Sequence, residues 1–169
     1  TQRSSYSKLY HYAASVTHSS YCLFVDVDEF WVAQPFPMKV ESYLESFKGF
    51  DCLSCNWVNC FHEDQFSAPL SRGLDFRLKS SVKSFVAYQS DLVELRCHAP
   101  VFRQSSARVL DAAGNPQDLI VTEIGFEAPG AIVPSEEQLY SKSLTSVVLH
   151  RHNRSALEYS FRMFKPHAN

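Results

Sequence analysis

Apolar residues in the first part of the chain alternate between the spacing of a helix and that of a strand. Residues 6–16 are predicted to form an amphipathic helix. Its predicted apolar face consists of Leu9, Ala13 and Val16. Residues 21–27 begin as a short continuous apolar run, which is typical of a strand buried on both faces. A second helix is predicted over residues 40–47 and a second strand over residues 50–58. This alternation indicates an α/β fold with a parallel sheet.

The rest of the chain is less regular. Residues 62–73 contain proline, serine, glycine and mixed charges, which predicts a long loop. Residues 84–88 and 92–97 are predicted to be strands of a second, antiparallel sheet. Residues 147–149 are apolar and rich in β-branched side chains, which predicts a short strand that ends at His150.

Composition is consistent with one globular domain over residues 1–169, since 45% of the residues are hydrophobic and 20% are charged. The net charge of −2 and the scattered Lys and Arg residues argue against nucleic acid as a partner. No apolar run approaches the ~20 residues that cross a bilayer, so no transmembrane segment is expected. We expect a cytoplasmic location, with peripheral attachment at the membrane as the alternative.

Three of the five cysteines, Cys52, Cys55 and Cys60, are spaced like a metal cluster. They lie in or beside the predicted strand 50–58, where residues three apart point to opposite faces. Cys52 and Cys55 are therefore not expected to bind one ion, and we interpret the three as buried, reduced thiols.

Two aspartates follow the first predicted strand. On a continuing strand Asp26 and Asp28 would share a face, at the carboxyl edge where α/β sheets bind their ligands. Two carboxylates so close together repel each other unless a cation compensates, and hard oxygen ligands favour Mg²⁺ or Mn²⁺. Such an ion can bridge the phosphates of a nucleotide. A pair of solvated loop acids is the alternative interpretation.

The segment around these aspartates, Phe-Val-Asp-Val-Asp-Glu-Phe-Trp at residues 24–31, resembles the Asp-x-Asp-Glu-Phe signature of the glycosyltransferase group related to families 2 and 92. Further segments resemble the group's pattern in the same order, and they are Trp57 with Phe61, residues 83–86, His98, and residues 149–152 with Arg154, Ser155 and Glu158. The resemblance implies a GT-A-like (Rossmann-like) fold, with a mixed sheet flanked by helices. It also implies that a sugar is transferred from a nucleoside-diphosphate sugar to a hydroxyl of a carbohydrate or glycoconjugate acceptor, with inversion, and with Mn²⁺ or Mg²⁺ as cofactor.

Four residues are candidates for binding the metal and the nucleotide. Asp26 and Asp28 would bind the ion, and Asp26 and Lys83 would anchor the diphosphate. The resemblance favours His150 as a further ligand to the ion held by Asp28. The predicted strand that ends at His150 could also end at the same sheet edge as the strand that precedes the two aspartates. A surface histidine and an exposed strand lysine are the alternatives for His150 and Lys83.

Transfer with inversion also needs a general base near the acceptor hydroxyl. Asp64 is the first candidate and Glu63 the second, since both lie in the long loop after a strand. A solvated acidic loop is the alternative interpretation of this segment.

The sequence departs from the family pattern in three places. Arg151 stands where the group usually has tyrosine, and the glycines expected after Trp57 are absent or displaced. In addition, 25 residues precede Asp26, fewer than the unit that binds the nucleotide base requires. We therefore expect that unit to be truncated, and a non-catalytic domain that binds metal or nucleotide is one alternative function. A haloacid-dehalogenase-type phosphatase with Asp26 as nucleophile is another, although Phe30 replaces its usual Thr or Val.

Overall fold

The computed structural model describes residues 2–47, 49–61, 75–88, 90–133 and 145–151. The helices in these ranges are α1 (Gln2–Val16) and α2 (Val40–Leu44). The strands are β1 (Tyr21–Leu23), β2 (Glu29–Ala33), β3 (Cys52–Phe61), β4 (Asp75–Ala87), β5 (Leu92–Leu95), β6 (Pro100–Phe102), β7 (Val109–Asp111), β8 (Ile120–Thr122), β9 (Gly125–Glu127) and β10 (Ser146–His150). The protein is thus an α/β protein in which strands predominate. Within the same ranges, no helix combines the length and the apolar character needed to cross a membrane.

Six strands form a mixed sheet in the order β1-β4-β3-β10-β2, and β7 also pairs with β3. Strand β3, the predicted strand 50–58, lies at the centre. It runs parallel to β10 and β7 and antiparallel to β4. This mixed pairing confirms the prediction of an α/β protein with a mixed sheet. The parallel sheet that the alternation of helices and strands indicated does not form.

The predicted strand 21–27 is much shorter and lies elsewhere in the sheet. Strand β1 covers three residues at the sheet edge, antiparallel to β4, and its side chains are half-buried. The prediction of a strand buried on both faces was therefore wrong. An apolar run shows that side chains can be buried, but it does not show how many neighbouring strands will pair with it.

A second sheet of four strands, in the order β5-β6-β9-β8, is antiparallel throughout. Strand β5 lies within the predicted segment 92–97, which confirms that part of the prediction. Residues 84–88 were assigned to the wrong sheet, because 84–87 complete the 13-residue strand β4, where Ser84 pairs with Ser54 of β3.

The helices bury aromatic rings. In α1, Leu9 and Val16 are 51% and 57% exposed, whereas Tyr10 is buried and donates its hydroxyl to the carbonyl of Ala87 at 2.6 Å. The predicted apolar face of this helix was therefore wrong. A phenol can fill the core and also satisfy a backbone carbonyl, which an aliphatic side chain cannot. In α2, within the predicted helix 40–47, Tyr43 is the residue buried against the sheet.

The cysteines of β3 lie on opposite faces of the sheet, as predicted. Cys52 packs with Phe102 and Val109, whereas Cys55 packs with Tyr43. Both are free thiols, and burial raises the pKa of Cys52 to about 11 and of Cys55 to about 12. These cysteines therefore belong to the core.

Candidate functional site

The two aspartates lie in a tight turn between β1 and β2. The N–H of Glu29 donates to the carbonyl of Asp26 at 3.0 Å, and the N–H of Asp26 donates to Oε2 of Glu29 at 2.7 Å. The expectation that Asp26 and Asp28 share one face of a continuing strand was therefore wrong. The polar residues that follow the apolar run satisfy one another locally, and this ends the strand at Leu23.

The ammonium of Lys83, a residue of β4, binds the carboxylates of this turn. Its Nζ lies 3.2 Å from Oδ2 of Asp26 and 3.0 Å from Oε2 of Glu29. The side chains of Lys83 and Glu29 are 1% and 0% exposed, whereas that of Asp26 is 51% exposed. Burial alone would lower the pKa of Lys83, but the hydrogen bond and charge of Glu29, helped by Asp26, raise it above its usual value.

This placement gives Lys83 a structural role that the sequence did not suggest, since it holds the turn that carries Asp26. Its ammonium is occupied by two carboxylates, and a direct contact with a diphosphate stays a prediction. The ring of Trp57 lies beside it, with 5.9 Å between Nζ and the ring centroid, which is within the range of a cation–π interaction.

His150 lies beside Asp28, although the two are far apart in sequence. Strand β10 is antiparallel to β2, with His150 opposite Glu29, and the N–H of Arg151 donates to the carbonyl of Asp28 at 2.8 Å. Nε2 of His150 is 3.8 Å from Oδ2 of Asp28, and the two side chains are 12% and 11% exposed. The predicted proximity of His150 to the aspartate turn is thereby confirmed.

The imidazole of His150 is held on two sides. Its Nδ1 lies 3.2 Å from Oδ1 of Asn59, the residue opposite His150 in the parallel β3–β10 pairing. Its ring stacks on Trp57 with 4.3 Å between centroids and 26° between planes. Because an amide oxygen accepts, Nδ1 of His150 donates to Asn59, and Nε2 lies on the side of Asp28.

Nε2 of His150 and Oδ2 of Asp28 are 3.8 Å apart, whereas neighbouring donors of an octahedral ion at about 2.1 Å are about 3.0 Å apart. The two side chains would therefore have to move together by about 0.8 Å to share one ion. In the part of the chain that the structure describes, no group of three or more His, Cys, Asp or Glu side chains could hold a metal ion. Asp28 and His150 could supply two ligands, and phosphate and water oxygens would supply the others.

The turn therefore carries two distinct pairs, Asp26 with Lys83 and Asp28 with His150. Sequence reasoning missed Glu29 and Asn59, which position these pairs. The signal that the sequence offered for Glu29 was a charged residue at the start of a strand. Its partner, Lys83, is distant in sequence, so the pairing itself could not be predicted. The candidate bases Glu63 and Asp64 lie outside the described residues.

Comparison of the chain with protein-family models, with curated proteins and with solved structures finds no match.

Proposed function

We propose that the protein is a metal-dependent glycosyltransferase of the GT-A type, which transfers a sugar from a nucleoside-diphosphate sugar to an acceptor hydroxyl. The observation that carries the proposal is the pairing of Asp28 with His150 at 3.8 Å. An aspartate from the Asp-x-Asp turn and a histidine from a distant strand end are the two side chains that the family resemblance assigns to the ion. Their proximity supports that assignment.

The chain's own residues would prepare the site. Asn59 and Trp57 orient His150, which lowers the cost of ordering the imidazole when an ion binds. Lys83 fixes Asp26 at the rim of the site, where its half-exposed carboxylate can reach the ion or its waters. A bound Mn²⁺ or Mg²⁺ would offset the negative charge of the departing diphosphate. The acceptor is a carbohydrate or glycoconjugate in this proposal, and Asp64 or Glu63 is its general base.

Calorimetric titration with Mn²⁺, with and without a nucleoside diphosphate, tests the site. We expect binding that depends on both components, and Asp28→Asn should weaken it by at least about tenfold because one of two protein ligands loses its charge. Asp118→Asn is the matched control, since Asp118 is an exposed aspartate outside the turn. Equal affinities of the Asp28 and Asp118 variants would exclude Asp28 as a ligand.

A non-catalytic domain that binds metal and nucleotide is the second candidate. It would use the same Asp28–His150 pair as the transferase, so turnover distinguishes the two. Release of nucleoside diphosphate from a panel of sugar nucleotides, with carbohydrate acceptors and Mn²⁺, separates the candidates. Turnover that is lost in Asp28→Asn supports the transferase, whereas binding without turnover supports the second candidate.

A further inference from the structure

A cavity of about 800 Å³ lies between the start of β1 and α2. Ser19, Ser20 and Tyr21 contribute to its wall, together with residues of α2 and of the turn that follows this helix. The candidate metal and nucleotide residues do not line it, and the aspartate turn follows the other end of β1. Small-molecule sites have volumes of about 300–1,000 Å³, so the cavity is large enough for a ligand of its own.

The apolar part of the wall is held in place by buried neighbours. The ring of Tyr21 stacks on Phe50, with 4.4 Å between centroids and 19° between planes. Phe47 lies edge-on to Tyr43 with 5.0 Å between centroids, and Leu44 packs against the same core cluster. Because these side chains are already ordered, binding of a ligand pays little conformational entropy there. Their aliphatic and aromatic surface favours methylene groups over water.

Two exposed carboxylates, those of Glu41 and Glu45, line the same cavity. A 2.9 Å hydrogen bond from the N–H of Glu45 to the carbonyl of Glu41 sets them one helical turn apart, which places their Cβ atoms about 5–6 Å from each other. Among the residues that the structure describes, neither carboxylate has an ion-pair or hydrogen-bond partner, and no lysine or arginine lines the cavity. Like charges at this spacing repel each other, so a ligand that brings positive charge to both is favoured.

The combination of two carboxylates with an apolar wall restricts the chemistry of the ligand. A monoamine would compensate one carboxylate, and a hydrated divalent ion would gain nothing from the apolar surface. We propose that the cavity binds a linear aliphatic polyamine, in which short methylene chains separate the ammonium groups. Two ammonium groups bind Glu41 and Glu45, and the methylene chain between them lies against Leu44, Tyr21 and Phe47, whose rings also attract the positive charge. This site does not depend on glycosyl transfer.

Equilibrium dialysis of the full-length chain against labelled spermidine, at neutral pH and low ionic strength, tests the ligand class. We expect saturable binding that is at least about tenfold tighter than that of butylamine, because the second ammonium binds intramolecularly once the first is bound. At equal ionic strength, magnesium chloride should displace spermidine no better than sodium chloride does. Equal affinities of spermidine and butylamine would overturn the proposal. Displacement by a lysine-rich peptide at a lower concentration than unlabelled spermidine would also overturn it, because the cavity would then be a polypeptide site.

Variants of the two glutamates test the location of the site. Glu41→Gln and Glu45→Gln should each weaken spermidine binding about two- to fivefold, as expected for exposed ion pairs, and the double variant should weaken it about tenfold. Glu123→Gln is the matched control, since Glu123 is an exposed glutamate in the turn between β8 and β9, and it should bind like the wild type. Because all three side chains are exposed, the variants are expected to fold, which circular dichroism verifies. An unchanged affinity in the double variant would contradict the assignment.

Discussion

Replacing Lys83 with methionine is expected to destabilise the protein strongly, because it leaves the carboxylate of Glu29 buried and unpaired. The Glu29 side chain is 0% exposed, and Lys83 lies 3.0 Å from its Oε2. Its other oxygen, Oε1, has no hydrogen-bond partner among the described residues. Loss of Lys83 therefore removes the charge that compensates Glu29.

The size of the effect follows from the burial of the pair. Breaking a buried ion pair by removing one partner costs about 3–5 kcal/mol. For a chain of this length, each kcal/mol lowers the melting temperature by about 2–4 °C, so a decrease of about 6–20 °C is expected. Urea unfolding, followed by tryptophan fluorescence and circular dichroism, gives the free energy of unfolding of each variant.

Two controls isolate the charge. Lys79→Met changes the same residue type at an exposed position of the same strand and should alter the free energy of unfolding by at most about 0.5 kcal/mol. Adding Glu29→Gln to Lys83→Met removes the unpaired charge and should recover part of the loss. A cost below about 1 kcal/mol for Lys83→Met would refute the reasoning, since an essential compensating charge cannot be removed so cheaply.

Three further predictions concern orientation, the core and pH. Asn59→Ala removes the oxygen that orients His150 and should weaken Mn²⁺–nucleotide binding in calorimetry by about 10–100-fold, whereas Asn59→Asp, which keeps an acceptor, should retain it. Tyr43→Phe removes the hydrogen bonds that the phenol makes with the carbonyl of Ala112 and the hydroxyl of Ser146. Because Thr145 and Cys55 remain as partners of these two groups, the change should cost about 0.5–1.5 kcal/mol in urea unfolding, whereas Tyr12→Phe, at an exposed position of α1, should be neutral. Burial raises the folded pKa of Cys55 to about 12, so the protonated thiol favours the folded state. This contribution to the free energy of unfolding is complete below the unfolded pKa of about 8.5 and is lost as the pH rises towards 12. Cys55→Ala should therefore be less sensitive to alkaline pH in thermal melts than the wild type, and an unchanged slope would contradict this origin of the pH dependence.

The parts of the fold that could be predicted from sequence are those determined by local patterns. The apolar, β-branched run before His150 forms β10, and the run that begins near Cys52 forms the central strand β3. Opposite orientation of Cys52 and Cys55 follows from the two-residue period of a strand. These predictions required no knowledge of which strands are neighbours.

The parts that could not be predicted depend on partners distant in sequence. Nothing in the segment of Glu29 indicates that its charge would be buried, because Lys83 compensates it from another strand. Likewise, spacing favoured Leu9 over Tyr10 in α1, but the carbonyl of Ala87 that accepts from Tyr10 becomes a neighbour through tertiary folding. A single sequence records local periodicity, whereas strand order and buried pairs are properties of the assembled sheet.

In the proposed metal site, Asp28 and His150 bind one ion. Pulsed electron paramagnetic resonance of Mn²⁺, bound together with a nucleoside diphosphate, detects an imidazole nitrogen in the coordination sphere through its ¹⁴N modulation. We predict this modulation in the wild type and in His18→Asn, a variant at an exposed histidine, and its loss in His150→Asn. Bound Mn²⁺ without ¹⁴N modulation in the wild type, or modulation that persists in His150→Asn, would contradict the proposed site.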